Sequence, residues 1–169
     1  MGSLILIKGP NNSGKSEYAE KLAAGSAKER FYIATMIPVT EDNHKHITRH
    51  IERRKDMAFT TYELPYEVGS APVTSESVVL LEDVSNLLAN VMFGKKGDVD
   101  SVFKDICRLK ESCSVLIAVS ISGLDETKYE GETADYIRAL SELNRRLERI
   151  SERTENMAKS VTEGRDNAV

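Results

Sequence analysis

"LILIKGPNNSGKSEYAEKL", Leu4 to Leu22, is the stretch on which the reading of this chain turns. A short apolar run, Leu4 to Lys8, gives way to a polar loop framed by glycines. The stretch that follows, Lys15 to Ala24, is rich in Glu, Lys, Ala and Leu and reads as a helix. Inside it "GPNNSGKS", Gly9 to Ser16, fits G-x-x-x-x-G-K-[ST] and stands where that motif works, after a buried strand and at the start of a helix. The loop Gly9, Pro10, Asn11, Asn12, Ser13, Gly14, Lys15 and Ser16 is therefore a candidate phosphate cradle. Its glycines let backbone N–H groups turn inward, and the helix N-terminus adds partial positive charge. Lys15 reaches the terminal phosphates, and the Ser16 hydroxyl is a ligand for Mg²⁺. The competing reading is a glycine-rich turn that binds nothing.

Working outward, strands and helices alternate. "RFYIAT", Arg30 to Thr35, is a second strand, and "EDNHKHITRHIERR" opens with capping residues and carries a helical pattern from about His44 to Arg54. "FTTYELP" is an edge-strand candidate closed by Pro65. A loose stretch, Gly69 to Ser77, leads into "SVVLLEDV", whose continuous apolar run suits a buried parallel strand. Helices are expected around Leu87 to Phe93 and Val99 to Lys110, then a strand "SVLIAVS". A long charged helix runs from Glu132 to about Glu155, with Tyr136, Leu140, Leu143, Leu147 and Ile150 on its inward stripe. The tail after Lys159 is polar, apart from a short strand candidate around Ala158 to Thr162. The alternation implies an α/β, P-loop NTPase-like fold, a mostly parallel sheet with helices on both faces. At 169 residues the chain suits a single domain of the usual size of about 100–200 residues.

Composition narrows the function. Apolar residues make up 40% and charged residues 30%, and the formal net charge is −4, so there is no global basic field and nucleic acid is not an expected partner. No apolar run approaches the roughly 18–20 residues of a membrane span, the start lacks the apolar core of a cleavable signal, and a cytoplasmic location is expected. Cys107 and Cys113 lack metal-finger spacing and read as reduced, packed side chains.

Two features point to chemistry beyond the cradle. "VVLLED" ends an apolar strand in carboxylates, and Glu82 or Asp83 can serve as the acid that holds Mg²⁺ or its water shell. No N-K-x-D segment follows a later strand, which argues against a switch GTPase. All three histidines, His44, His46 and His50, fall in one segment. At about 100° per residue a helix there puts His46, Arg49, His50 and Arg53 in one cationic sector, with Ile47 and Ile51 turned toward a core. Such a face suits a polyphosphate, and a neutral imidazole is a competent nucleophile toward phosphorus. A solvated basic helix face and an H-x-H-x₃-H metal site are the other readings.

These residues resemble the bifunctional adenosylcobinamide kinase / adenosylcobinamide-phosphate guanylyltransferase family of cobalamin biosynthesis. The resemblance runs from the SGKS of Ser13 to Ser16 and the Y-I-A-T of Tyr32 to Thr35 through the histidine helix. There His50 holds the family histidine and Arg53 and Arg54 the arginine pair. It continues through "TYELP", "LLEDVSNLLANVMF" and "ELNRRLERISE". Asn12 stands where the family usually has Arg, Lys55 where it has Pro, and "VSISGLDET" replaces a T-N-E-V-G-like stretch. The resemblance implies a kinase that phosphorylates the aminopropanol hydroxyl of adenosylcobinamide with GTP or ATP. It also implies a guanylyltransferase that passes GMP from GTP through a histidine to the corrinoid phosphate. It makes His50 the guanylylated residue, with Lys15 catalytic, Arg49, Arg53, Arg54, Glu63 and Glu82 beside the cradle in the nucleotide site, and Ser16 and Glu82 on Mg²⁺. It implies a homo-oligomer, a trimer. The alternatives are a P-loop kinase of another small hydroxylated substrate and a catalytically silent nucleotide-binding regulatory module.

Overall fold

The computed structural model describes residues 2–26 and 28–158. Six strands, β1 (Ser3–Gly9), β2 (Arg30–Ala34), β3 (Phe59–Glu63), β4 (Val78–Glu82), β5 (Val115–Ile121) and β6 (Arg153–Asn156), form one sheet in the order β3-β2-β4-β5-β1-β6. Every pairing is parallel. The helices are α1 (Lys15–Ala24), α2 (Glu41–Arg54), α3 (Val84–Ala89), α4 (Val99–Glu111) and α5 (Gly131–Ile150).

Period-two alternation along the strands divides the core. Leu4 and Leu6 of β1, Val79 and Leu81 of β4, and Leu116 and Ala118 of β5 face one layer, where Leu87 and Leu88 of α3, Ile106 and Leu109 of α4, and Leu143 and Leu147 of α5 cover them. Ile7, Leu80, Ile117 and Val119 face the other way, onto Ala19 and Ala23 of α1. Small residues on α1 bring it close to the sheet, which carries the loop before it over the carboxyl ends of the central strands. That edge is where parallel α/β sheets bind ligands.

Several expectations change. The last helix stops at Ile150 and the polar run Arg153–Asn156 becomes β6, paired along β1 from Ile5 to Lys8. Ile150 is correspondingly exposed, while Ile137 and Asn144 are buried on that helix. The helix after β4 starts at Val84, where the Asp83 carboxylate caps it by accepting from Asn86 N at 2.7 Å, and continues as a single wider turn, Asn90–Gly94. α2 starts three residues earlier than expected, because Thr40 and Asn43 form a reciprocal capping box. Of the strand expected around Ala158 to Thr162, Ala158 is in no strand and the rest lies outside the described residues.

The largest departure concerns α2. Its inward residues are His50 and Arg54, whereas Ile51 is 49% exposed and Ile47 half-buried. The reason is what the helix meets: not the apolar core but the polar side chains Glu20 and Tyr32. Cys107 and Cys113 are both free thiols, and burial raises both, Cys113 to about 12. Among the described residues no helix is long and apolar enough to cross a membrane.

Candidate nucleotide and histidine site

The loop after β1 is held in a shape that few sequences allow. A Cβ on Gly9 would lie 2.8 Å from the Met157 carbonyl and 2.9 Å from Ser13 Oγ, so the strand end must be glycine. The chain then turns through left-handed conformations at Asn12 (φ 60°) and Gly14 (φ 79°) before α1 begins at Lys15. The Lys15 ammonium donates to the Pro10 carbonyl at 3.1 Å, arching back over its own loop. Burial lowers its pKa, against the pull of Asp83 and Glu82. Ser13 Oγ is buried with no hydrogen-bond partner among the described residues.

The end of β4 supplies the acids. Thr35, the last residue of the Y-I-A-T motif, fastens β2 to this end. Its hydroxyl accepts from Asp83 N at 2.8 Å and lies within 3.1 Å of the Glu82 and Asp83 carbonyls. Glu82 is buried and its Oε1 has no hydrogen-bond partner among the described residues. Burial, then the neighbouring Asp83, push its carboxyl well above the usual carboxylate range, while a hydrogen bond from Ser16 opposes the rise. An orphaned carboxylate oxygen beside a serine hydroxyl is an all-oxygen donor set, the chemistry Mg²⁺ takes when it keeps waters and substrate phosphates as its other ligands. Ser16 and Glu82 fit that ion. Among the described residues no group of three or more His, Cys, Asp or Glu side chains forms a metal cluster, so the histidine-rich helix does not build one.

α2 brings its histidines to the loop. His46, His50 and Arg53 line one cavity of about 270 Å³ with Asn11 to Glu17. Behind it His50 packs into the protein. Its Nδ1 lies 3.3 Å from Tyr32 Oη, 3.3 Å from an Arg53 terminal nitrogen and 3.8 Å from Glu20 Oε2. Arg53 holds the fully buried Glu20 with two hydrogen bonds, Nε to Oε1 at 2.5 Å and the terminal nitrogen to Oε2 at 3.0 Å. Arg54 stacks 3.6 Å over the Tyr32 ring. The His46 and His50 rings are 4.3 Å apart.

Burial first, then His46, Arg53, Arg54 and Arg49, depress the His50 pKa to about 3. The imidazole is therefore neutral throughout the physiological range. The unfolded chain takes up this proton near 6.5 and the folded one only near 3. The stability tied to a neutral His50 is thus present above pH 6.5 and is lost as pH falls toward 3. Urea unfolding should show wild type losing on the order of 2 kcal/mol more than His50→Gln between pH 7 and pH 5. Equal losses would mean that His50 titrates normally when folded.

The structure thus joins the cradle, Glu82, His46, His50 and Arg53. It separates others. Arg54 does not line the loop cavity but lines an adjoining one with His46, His50 and Glu82. Glu63, at the exposed end of edge strand β3, lines a different groove with Ile47, Ile51 and Arg54. Arg49 is exposed and bears on His50 through charge alone. Glu20 and Tyr32 went unrecognised as site residues. The available signal for Glu20 was its place between Ala19 and Ala23, the small residues that mark the buried face of α1.

A family model described as "Cobinamide kinase / cobinamide phosphate guanyltransferase" matches residues 5–162. The "Bifunctional adenosylcobalamin biosynthesis protein CobU" of Escherichia coli (strain K12) is 32% identical over 99 residues, 57% of this chain and 54% of that protein. The matched region thus spans about half the length of that curated relative. Among solved structures, a "prototypical ATPase from the type III secretion system of pathogenic bacteria" superposes with a TM-score of 0.47 at 12% identity, covering 82% of this chain and 49% of that one.

Proposed function

Because this chain belongs to the cobinamide kinase / cobinamide phosphate guanyltransferase family, we propose that it performs two transfers at one nucleotide cradle. In the first, GTP or ATP gives its γ-phosphoryl group to the aminopropanol hydroxyl of adenosylcobinamide. In the second, a nitrogen of His50 bonds to the α-phosphorus of GTP as the bond to the bridging oxygen breaks and pyrophosphate leaves. An oxygen of adenosylcobinamide phosphate then displaces His50, giving adenosylcobinamide-GDP and the free imidazole.

One observation carries this reading: His50, neutral and beside Arg53, shares a cavity with the phosphate loop. A nucleophile toward phosphorus needs a free lone pair, and neighbouring cations to offset charge on the phosphoryl oxygens. In this proposal the backbone of Gly9 to Ser16 and the Lys15 ammonium bind the phosphates, and Arg53 and His46 contact phosphate oxygens. Ser16 and Glu82 hold Mg²⁺, which when bound supplies charge neutralisation at the phosphates. The test is incubation with [α-³²P]GTP, which should leave a label on the protein that acid removes and base does not. No label under conditions of GTP turnover would leave a kinase of another hydroxylated substrate, and no turnover a silent module.

Glu82 has its own expected result. Glu82→Gln should fold, yet need far more Mg²⁺ for turnover, because it replaces a buried carboxyl that Mg²⁺ would ionise, one whose Oε1 has no partner among the described residues, by an amide that cannot ionise. Unchanged turnover at low Mg²⁺ would move the role to Asp83.

A further inference from the structure

Glu20 is the most deeply buried charge near the site, and its neighbours dictate an awkward state for His50. A carboxylate without access to water requires hydrogen-bonded partners. Among the described residues Glu20 has Arg53 at 2.5 and 3.0 Å and His50 Nδ1 at 3.8 Å. The Arg53 terminal nitrogen that binds Glu20 also lies 3.3 Å from His50 Nδ1. A guanidinium can only donate, so Nδ1 must accept, and the single ring proton of the neutral imidazole sits on Nε2. Tyr32 Oη meets the same Nδ1. No described residue hydrogen-bonds Nε2, which makes it the nitrogen open to a substrate. In this arrangement, however, Nε2 carries a proton and has no lone pair to give.

We propose that Glu20 is a positioning residue that selects the reactive tautomer of His50, and that triphosphate in the cradle triggers the selection by drawing Arg53 away. The proposal rests on the guanylyl-transfer reading above. Arg53 lines the loop cavity and its side chain is 34% exposed, so it has both a destination at the phosphates and room to move. Its departure frees the Glu20 carboxylate to close the 3.8 Å gap and accept a hydrogen bond from Nδ1–H. One proton leaves Nε2 to water and one arrives at Nδ1 from water, so the ring stays neutral and Nε2 gains its lone pair. When Nε2 then bonds to the α-phosphorus and pyrophosphate departs, the ring becomes positive. Its Nδ1–H remains on the Glu20 carboxylate, which offsets that charge. Without nucleotide the histidine is held in the unreactive form.

The direct measurement is an imidazole ¹H–¹⁵N spectrum, which separates the two tautomers. The chain has three histidines, and His50→Gln assigns the resonance. Wild type should show His50 as Nε2–H alone and as Nδ1–H with Mg²⁺ and guanosine 5′-(α,β-methylene)triphosphate, which cannot be cleaved at the reacting bond. In Glu20→Gln the side-chain amide donates to Nδ1 when its oxygen faces Arg53. His50 should then stay Nε2–H with the analogue, and covalent labelling should slow by about 10²–10⁴-fold, the cost of a wrong histidine tautomer in a related arrangement. Glu20→Asp, which keeps a carboxylate on a shorter arm, should recover part of the rate. A role confined to anchoring α2 through Arg53 would move none of the wild-type resonances. The proposal is overturned if wild-type His50 keeps one tautomer throughout, or if Glu20→Gln labels at the wild-type rate. Should Glu20→Gln not fold, the wild-type spectra and Glu20→Asp decide. If wild type never forms the adduct, the guanylyl-transfer reading falls and takes this one with it. An adduct formed without a tautomer change overturns the switch alone.

Discussion

His50→Ala should abolish covalent labelling by [α-³²P]GTP, a loss of at least about 10³-fold, because of the two histidines in the cavity only His50 has its Nδ1 oriented by Tyr32, Arg53 and Glu20 among the described residues. His46→Ala should weaken labelling by about fivefold, the worth of one neutral hydrogen bond to a phosphate oxygen. His46 lines the same cavity, and burial and Arg49 hold its pKa down, but its ring stands in front of His50 without the contacts that orient the latter. His44 does not line the cavity, so its replacement should leave labelling unchanged. Phosphoryl transfer to cobinamide should partly survive in His50→Ala, since that step needs the cradle and Mg²⁺ but no histidine nucleophile. Labelling that persists in His50→Ala and vanishes in His46→Ala would place the nucleophile one helical turn earlier.

Lys15→Ala should weaken Mg-GTP binding by about 10- to 100-fold, as expected for losing a hydrogen bond between charged groups. It should also remove most of the thermal stabilisation that Mg-GTP gives. The fold should remain, because the ammonium meets its own loop at Pro10 O and not the apolar core. Titration of binding by calorimetry and of melting temperature by scanning fluorimetry check both halves. Affinity that survives the change would remove the phosphate-loop assignment.

What could be read from the chain alone follows from which residues obey a period. The strand–loop–helix of Ser3 to Ala24 and the buried strands were legible because each couples a motif or an unbroken apolar run to a fixed local geometry, and α1 begins and ends where its residues indicate. β6 was hidden: Arg153 to Asn156 contains no aliphatic residue, its place at the sheet edge asks for none, and no Gly or Pro interrupts the helical pattern that precedes it. α2 misled for the opposite reason. Ile47 and Ile51 follow a helical period that normally marks the core face, but this helix buries His50 and Arg54 against Tyr32 and Glu20. Periodicity reports which residues are apolar, and here the inward partner is polar. Glu20 stayed invisible because a glutamate inside a charged helix looks solvated until its buried neighbours are known.

β1 sits between β5 and β6, with Ile5 paired to both Ile117 and Arg153. The first of the six described strands therefore has both of its neighbours over a hundred residues downstream. The Met157 N–H also reaches back 2.8 Å to the Lys8 carbonyl, beside the glycine that starts the loop. Closing such distant pairs is the slow part of building a parallel sheet. A ribosome-bound chain thus cannot complete the loop after β1 until β5 and β6 have emerged. Premature termination upstream of β5 leaves a fragment whose apolar strand β1 is unpartnered and exposed to aggregation.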